Sequence, residues 1–112
     1  MAFLLESEVV TEICVYLRGM DYFFWRQNNT PVWGRAFPKY AKRGVPDVIM
    51  VYRGRFVGFE VKRPDGVYAG RGRKSTLTPD QLSFQRDLEA VSGFYFVVRS
   101  VQEVIDAINR LP

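Results

Sequence analysis

Apolar residues recur along the chain with two different periods, and the changes of period divide it into elements. Over Leu5–Arg18, Val9, Val10, Ile13, Tyr16 and Leu17 form one helical stripe, and Gly19 is a natural C-terminal stop. Tyr22–Gln27 (YFFWRQ) is aromatic and β-prone, and the turn-rich NNTPVWG after it reads as an exposed loop. Residues 35–44 are basic and irregular. Two apolar runs, Asp47–Tyr52 and Arg55–Lys62, flank Arg53-Gly54 and read as a hairpin. Residues 63–76 (RPDGVYAGRGRKST), rich in glycine and arginine, read as a mobile surface loop. Thr78-Pro79-Asp80-Gln81 is a capping box that opens a helix running to about Val91. Phe94–Val98 (FYFVV) reads as a strand, and Ser100-Val101-Gln102-Glu103 opens a last helix with a second capping box. The order α-β-β-β-α-β-α has no repeat and no linker. It predicts one mixed α/β domain over residues 1–112, with the hairpin at the heart of a mixed central sheet and helices on its flanks.

The hairpin carries an anomaly. A two-residue turn opposes Tyr52 to Arg55 and, five residues further along each strand, Asp47 to Glu60. Opposed residues share a face with Cβ atoms ~5 Å apart, and Lys62, two residues beyond Glu60, points the same way. Val48, Met50, Tyr52, Val57, Phe59 and Val61 point to the other face and form the expected core. A slip of two residues would keep the carboxylates and the lysine together, whereas a bulge or a slip of one would part them. Two opposed carboxylates repel. Lys62 alone could relieve them as a structural ion pair, or a divalent cation could; a hard cation such as Mg²⁺ favours one or two carboxylates plus waters and phosphate oxygens.

Composition narrows the chemistry. A hydrophobic fraction of 47% and an aromatic fraction of 15% suit a globular fold with one core. No apolar run is long enough to span a membrane, and MAFLLESEVV lacks the marks of a secretory signal, so a cytoplasmic location without membrane partners is expected. The lone Cys14 falls in the apolar stripe and reads as a core residue. The chain has no histidine, which excludes His-based metal sites, His general bases and Ser-His-Asp triads. The net charge is +4, and the cations cluster between Arg35 and Lys74, offset there only by Asp47, Glu60 and Asp65. That clustering points to an anionic partner, most often nucleic acid, or else to a solvated basic surface.

Pro46-Asp47 followed by Glu60-Val61-Lys62 across a hairpin is the short PD-(D/E)xK nuclease pattern. With ESEVVTEICVYL, WRQNN, RGVPDVIMVYRGRFVGFEVKR and LTPDQLSFQRDLEAVSGFYFVVRS in the same order, the chain resembles the stand-alone viral or bacterial form of the VRR-NUC domain, the virus-type replication-repair nuclease. The resemblance spans nearly the whole chain and implies a restriction-endonuclease-like fold. It implies a metal-dependent endodeoxyribonuclease in which Asp47, Glu60 and the backbone carbonyl of Val61 bind Mg²⁺ or Mn²⁺. Lys62 would orient the attacking water or stabilise transition-state charge. The family's helix-1 acid falls on Glu6, which continues the stripe of Val10, Ile13 and Leu17, and it would help hold the metal directly or through water. Gln81 matches the family's glutamine, although its capping box explains it equally well; Gln85 is a weaker candidate. Arg26 and Asn28 match an Arg-x-Asn element that would contact phosphate, although an exposed turn also explains Asn28. Lys39, Lys42, Arg43, Arg71, Arg73 and Lys74 would bind the DNA backbone.

Stand-alone members of the family resemble Holliday-junction resolving enzymes. That implies branched DNA as substrate and a homodimer, with the aromatics of Tyr22–Trp33 as a dimer surface or as core, acting in a bacterial host cell if the chain is viral. The alternatives are a related nuclease acting on linear or flap DNA, or a DNA-binding module without catalysis. One departure stands out: Ser92-Gly93 replaces the family's paired glycines before the last strand.

Overall fold

The computed structural model describes residues 4–27, 38–64, 67–68, 73–74 and 77–112, with backbone alone at 67–68 and 73–74. Helix α1 (Glu6–Gly19) leads through β1 (Phe24–Arg26) into the hairpin β2 (Val48–Tyr52) and β3 (Arg55–Val61). Two short strands, β4 (Val67–Tyr68) and β5 (Arg73–Lys74), precede α2 (Pro79–Ala90), β6 (Phe94–Val98) and α3 (Val101–Asn109). The main sheet has the order β1-β2-β3-β6, with the first two pairings antiparallel and β3–β6 parallel. A parallel neighbour needs a crossover, and the chain between β3 and β6, including α2, supplies it.

The hairpin register is the expected one. Tyr52 pairs with Arg55 and Val48 with Phe59. Arg53 and Gly54 take φ of 50° and 79°, the paired left-handed geometry of a type I′ turn, whose twist matches that of the strands. Val48, Met50, Val57, Phe59, Val61 and Val98 therefore face Val9, Val10, Ile13 and Leu17 of α1 and Val104, Ala107 and Ile108 of α3 in one buried cluster. Cys14 packs half-buried against it. The opposite face carries Ile49, Phe56, Gly58 and Tyr95, and α2 leans on it through Phe84, whose ring lies 6.4 Å from Phe56 and 6.3 Å from Tyr95.

The structure corrects or sharpens four expectations. Helix α1 ends at Gly19, but Asp21 and not the glycine takes the left-handed position, at φ 59°. The Tyr22 and Asp21 amides donate back to Leu17 and Arg18, a Schellman closure that aspartate tolerates because its short polar side chain suits that conformation. Residues 63–76 are not wholly loop, since Val67 pairs with Lys74 and Tyr68 with Arg73. These two strands lengthen the expected element order without joining the main sheet. The second capping box is only half formed. Ser100 Oγ accepts from the Glu103 amide, but the Glu103 carboxylate accepts from the Arg99 amide, one residue before the cap. Finally, the aromatics of the second element divide residue by residue. Tyr22 and Phe24 pack on the core, while Phe23 and Trp25 stay exposed as an edge-to-face pair 6.1 Å apart on the edge strand. Trp33 and Asn28 lie outside the described residues.

Candidate active site

Asp47 sits just before β2, where Pro46 and β1 fix its backbone. Pro46 is fully buried over Gly58, and a Cβ on that glycine would lie 2.5 Å from the proline ring. The Gln27 amide donates to the Asp47 carbonyl at 2.8 Å. The side chain then turns across the hairpin, where Oδ2 accepts from the Val61 amide at 2.8 Å. This contact spans the two strands just beside the expected pairing of Asp47 with Glu60.

Glu60 and Lys62 are the two buried charged side chains among the described residues, 3% and 7% exposed. Lys62 follows the end of β3, and its amide still donates to the Val98 carbonyl at 3.0 Å, so β6 holds it in line. The Arg99 guanidinium braces the next residue by donating to the Arg63 carbonyl at 2.9 Å.

Gln81 caps its helix and also reaches Lys62 and Glu60. Its amide N–H donates to Thr78 Oγ1 and its Oε1 accepts from the Thr78 amide, closing a full capping box. The same Oε1 accepts from Lys62 Nζ at 3.1 Å, and Nε2 donates to Glu60 Oε1 at 2.6 Å. The amide thus stands between carboxylate and ammonium, and among the described residues Lys62 makes no direct ion pair with Asp47 or Glu60. Gly44 lets α2 come this close: at φ 75°, a Cβ there would collide with the Asp80 backbone and lie 2.7 Å from the Gln81 amide nitrogen. Gln81, Phe84 and Leu88 follow the inward stripe of α2. Gln85, half-buried on the same helix, takes no part in these hydrogen bonds.

The electrostatics disfavour negative charge here. Burial first, then the Asp47 charge, pushes the Glu60 carboxyl up to about 9; Lys62 pulls it back only in part. Desolvation and then Asp47 also raise Glu6, on the exposed first turn of α1, while Lys62 and Arg63 lower it, so its carboxyl faces the same cluster. Oxygen Oε2 of Glu60 is buried with no hydrogen-bond partner among the described residues.

A buried carboxylate with an unpartnered oxygen and a suppressed charge, beside the half-buried Asp47, is what a hard divalent cation would relieve. No cluster of three or more His, Cys, Asp or Glu side chains at ligating separation occurs among the described residues. A cation here would take two carboxylates and complete its shell from backbone carbonyl, water and substrate, which suits Mg²⁺ or Mn²⁺.

Other sequence candidates fall elsewhere. Arg26 pairs with Val48, whose side chain faces the α1 side, and its charge acts on Cys14; it is exposed across the sheet from Glu60. Lys39, Lys42 and Arg43 are exposed on the segment entering Gly44, beside the start of α2. Arg71 lies outside the described residues, and Arg73 and Lys74 are described as backbone only. One neighbour escaped the sequence reading. Tyr95, in register with Gly58, is 5% exposed and lies on the face of Glu60. Strand parity in FYFVV already turns it away from Phe94 and Phe96, but only the parallel register brings it to the carboxylates.

No protein-family model matches the chain, and neither does any curated protein sequence. Among solved structures, a "VRR_NUC domain protein" superposes with a TM-score of 0.67 at 20% identity, covering 98% of this chain and 89% of the other. The mixed sheet, the hairpin at its centre and the helices on its two faces are therefore those of the VRR-NUC fold.

Proposed function

We propose that this chain is a divalent-metal-dependent nuclease of the PD-(D/E)xK type that hydrolyses phosphodiester bonds in DNA, with branched DNA as its substrate. One observation carries the reading. Asp47, Glu60 and Lys62 converge at one end of the hairpin, and Gln81 hydrogen-bonds both Glu60 and Lys62, within a fold shared with a VRR_NUC domain.

Asp47, Glu60 and the Val61 carbonyl would hold Mg²⁺ or Mn²⁺, with Glu6 reaching it through water. The cation would supply Lewis acidity toward a phosphate oxygen and lower the pKa of the attacking water. Lys62, held by the Gln81 carbonyl oxygen, would place its ammonium where charge grows on the phosphate in the transition state. Lys39, Lys42 and Arg43 would seat phosphates beside the start of α2, with Arg71, Arg73 and Lys74 extending that grip. Arg26, on the edge strand, would contact phosphate, with Asn28 as a second contact. Such contacts position DNA and carry little sequence information, which suits recognition of shape. A symmetric four-way junction needs two cuts, so a two-fold dimer fits, with Phe23 and Trp25 as its apolar contact. No helix among the described residues is long and apolar enough to cross a membrane, and a cytoplasmic site of action suits the reading.

Labelled four-way junctions, flaps and linear duplex, incubated with Mg²⁺, Mn²⁺ or EDTA beside a Glu60→Ala variant, test the proposal. Metal-dependent paired nicks in the junction, absent from the variant, are expected. Cleavage of flaps or linear DNA instead would keep the nuclease and reject the substrate. Metal-independent binding with no cleavage would leave a DNA-binding module.

A further inference from the structure

Tyr95 is the second buried polar group at the site without a partner. Its hydroxyl, like Oε2 of Glu60, makes no hydrogen bond among the described residues. The ring is fixed: Tyr95 is 5% exposed, Phe84 packs 6.3 Å away, and its register partner Gly58 presents no side chain. The register places Tyr95 diagonally across from Glu60 on the neighbouring strand, a separation of about 7–8 Å between Cβ atoms that an aromatic side chain can span. Filling the space alone would not require the oxygen. Phe94 and Phe96 serve on either side in the same strand, and a desolvated, unpartnered hydroxyl destabilises the fold. Groups kept at such a cost gather at functional sites.

The donor and the acceptor complement each other. Glu60 Oε1 is taken by Gln81, Oε2 accepts no hydrogen bond among the described residues, and Tyr95, in register with Gly58, is a buried donor on the same face of the sheet. We propose that Tyr95 is a positioning residue of the cation site, its hydroxyl donating to the Glu60 carboxylate and fixing the orientation in which that carboxylate meets a divalent ion. The inference rests on the reading of Asp47 and Glu60 as cation ligands. Donors to ligating carboxylates typically change metal affinity about 10- to 100-fold when removed.

The test is Tyr95→Phe in the full chain, with Mn²⁺ affinity measured by titration calorimetry and the melting temperature measured in EDTA. A Mn²⁺ affinity at least about 10-fold weaker, with a metal-free melting temperature equal to or above that of the wild type, is expected. Unchanged affinity would overturn the inference and leave the cation site standing. A weaker affinity accompanied by a lowered metal-free melting temperature would also overturn it, since a packing role explains both. Failure of the wild type to bind Mn²⁺ would remove the cation site itself, and this inference with it. A Tyr95→Met variant, which fills the space without an aromatic ring, should match Tyr95→Phe in affinity; a difference between them would assign the effect to the ring.

Discussion

In metal-free protein, Glu60 should make the fold less stable as pH rises, and Glu60→Gln should abolish that loss. The folded carboxyl titrates at about 9 against 4.5 for an ordinary glutamate, so the folded state binds the proton more tightly than the unfolded state. The resulting stabilisation is fully present below pH 4.5 and is lost as pH climbs toward 9. The slope is about 1.4 kcal/mol per pH unit, hence about 3 kcal/mol between pH 5 and 7.5. For a domain of this size that corresponds to a fall in melting temperature of roughly 10–20 °C. Glutamine keeps the shape and the acceptor for Gln81 Nε2 but does not titrate. Glu60→Gln should therefore melt at nearly the same temperature at both pH values, apart from the weaker slope in the same direction from Glu6, and should be the more stable protein at pH 7.5. A divalent cation favours the ionised carboxylate, so Mn²⁺ should restore wild-type stability at pH 7.5 and leave Glu60→Gln unmoved. Thermal melts in EDTA and in Mn²⁺ at the two pH values measure all of this. A wild type with equal melting temperatures in EDTA at both, or a variant that keeps the full slope, would refute the reasoning.

Gln81→Ala should lose the reciprocal cap and the bridge together. Chemical denaturation should show a loss of about 1 kcal/mol, while single-turnover cleavage falls by more than the stability change explains. Ser92 holds φ 70° in the Schellman closure of α2, where the Gly93 and Ser92 amides donate back to Leu88 and Glu89. Ser92→Gly should thus raise stability by about 1 kcal/mol in denaturant titration, with cleavage unchanged. Removing the exposed cations in a Lys39→Ala, Lys42→Ala double variant should flatten the slope of log affinity against log salt by about 1–2, equally for all DNA sequences, in a salt series of binding isotherms.

The placement of the candidate site was legible wherever strand parity governs it. A two-residue turn and a period of two suffice to put Asp47, Glu60 and Lys62 on one face, and the register of β2 with β3 obeys them. Local chemistry also carried the start of α2, since the Thr78–Gln81 box depends on four consecutive residues. Helix ends were less legible. Glycine is the usual left-handed residue, yet Asp21 and Ser92 hold those positions, because tertiary packing decides where each helix must turn. The departure at Ser92-Gly93 changes the cost of the turn and leaves its geometry intact. Gln81's double role could not be read from its motif, for the bridge to Glu60 and Lys62 depends on how closely Gly44 lets α2 approach. The face that Arg26 takes and the presence of Tyr95 beside the carboxylates could not be read for one reason: the face of a short strand depends on its partner's register, and that is long-range information.

The central claim is that Asp47 and Glu60 hold the cation on which cleavage depends. Crystals grown with Mn²⁺ and measured at the manganese absorption edge test it directly. The account predicts an anomalous peak about 2.1 Å from one oxygen of each carboxylate, lost in Asp47→Asn. Ordered Asp47 and Glu60 side chains with no peak between them, in a protein that cuts DNA, would contradict it.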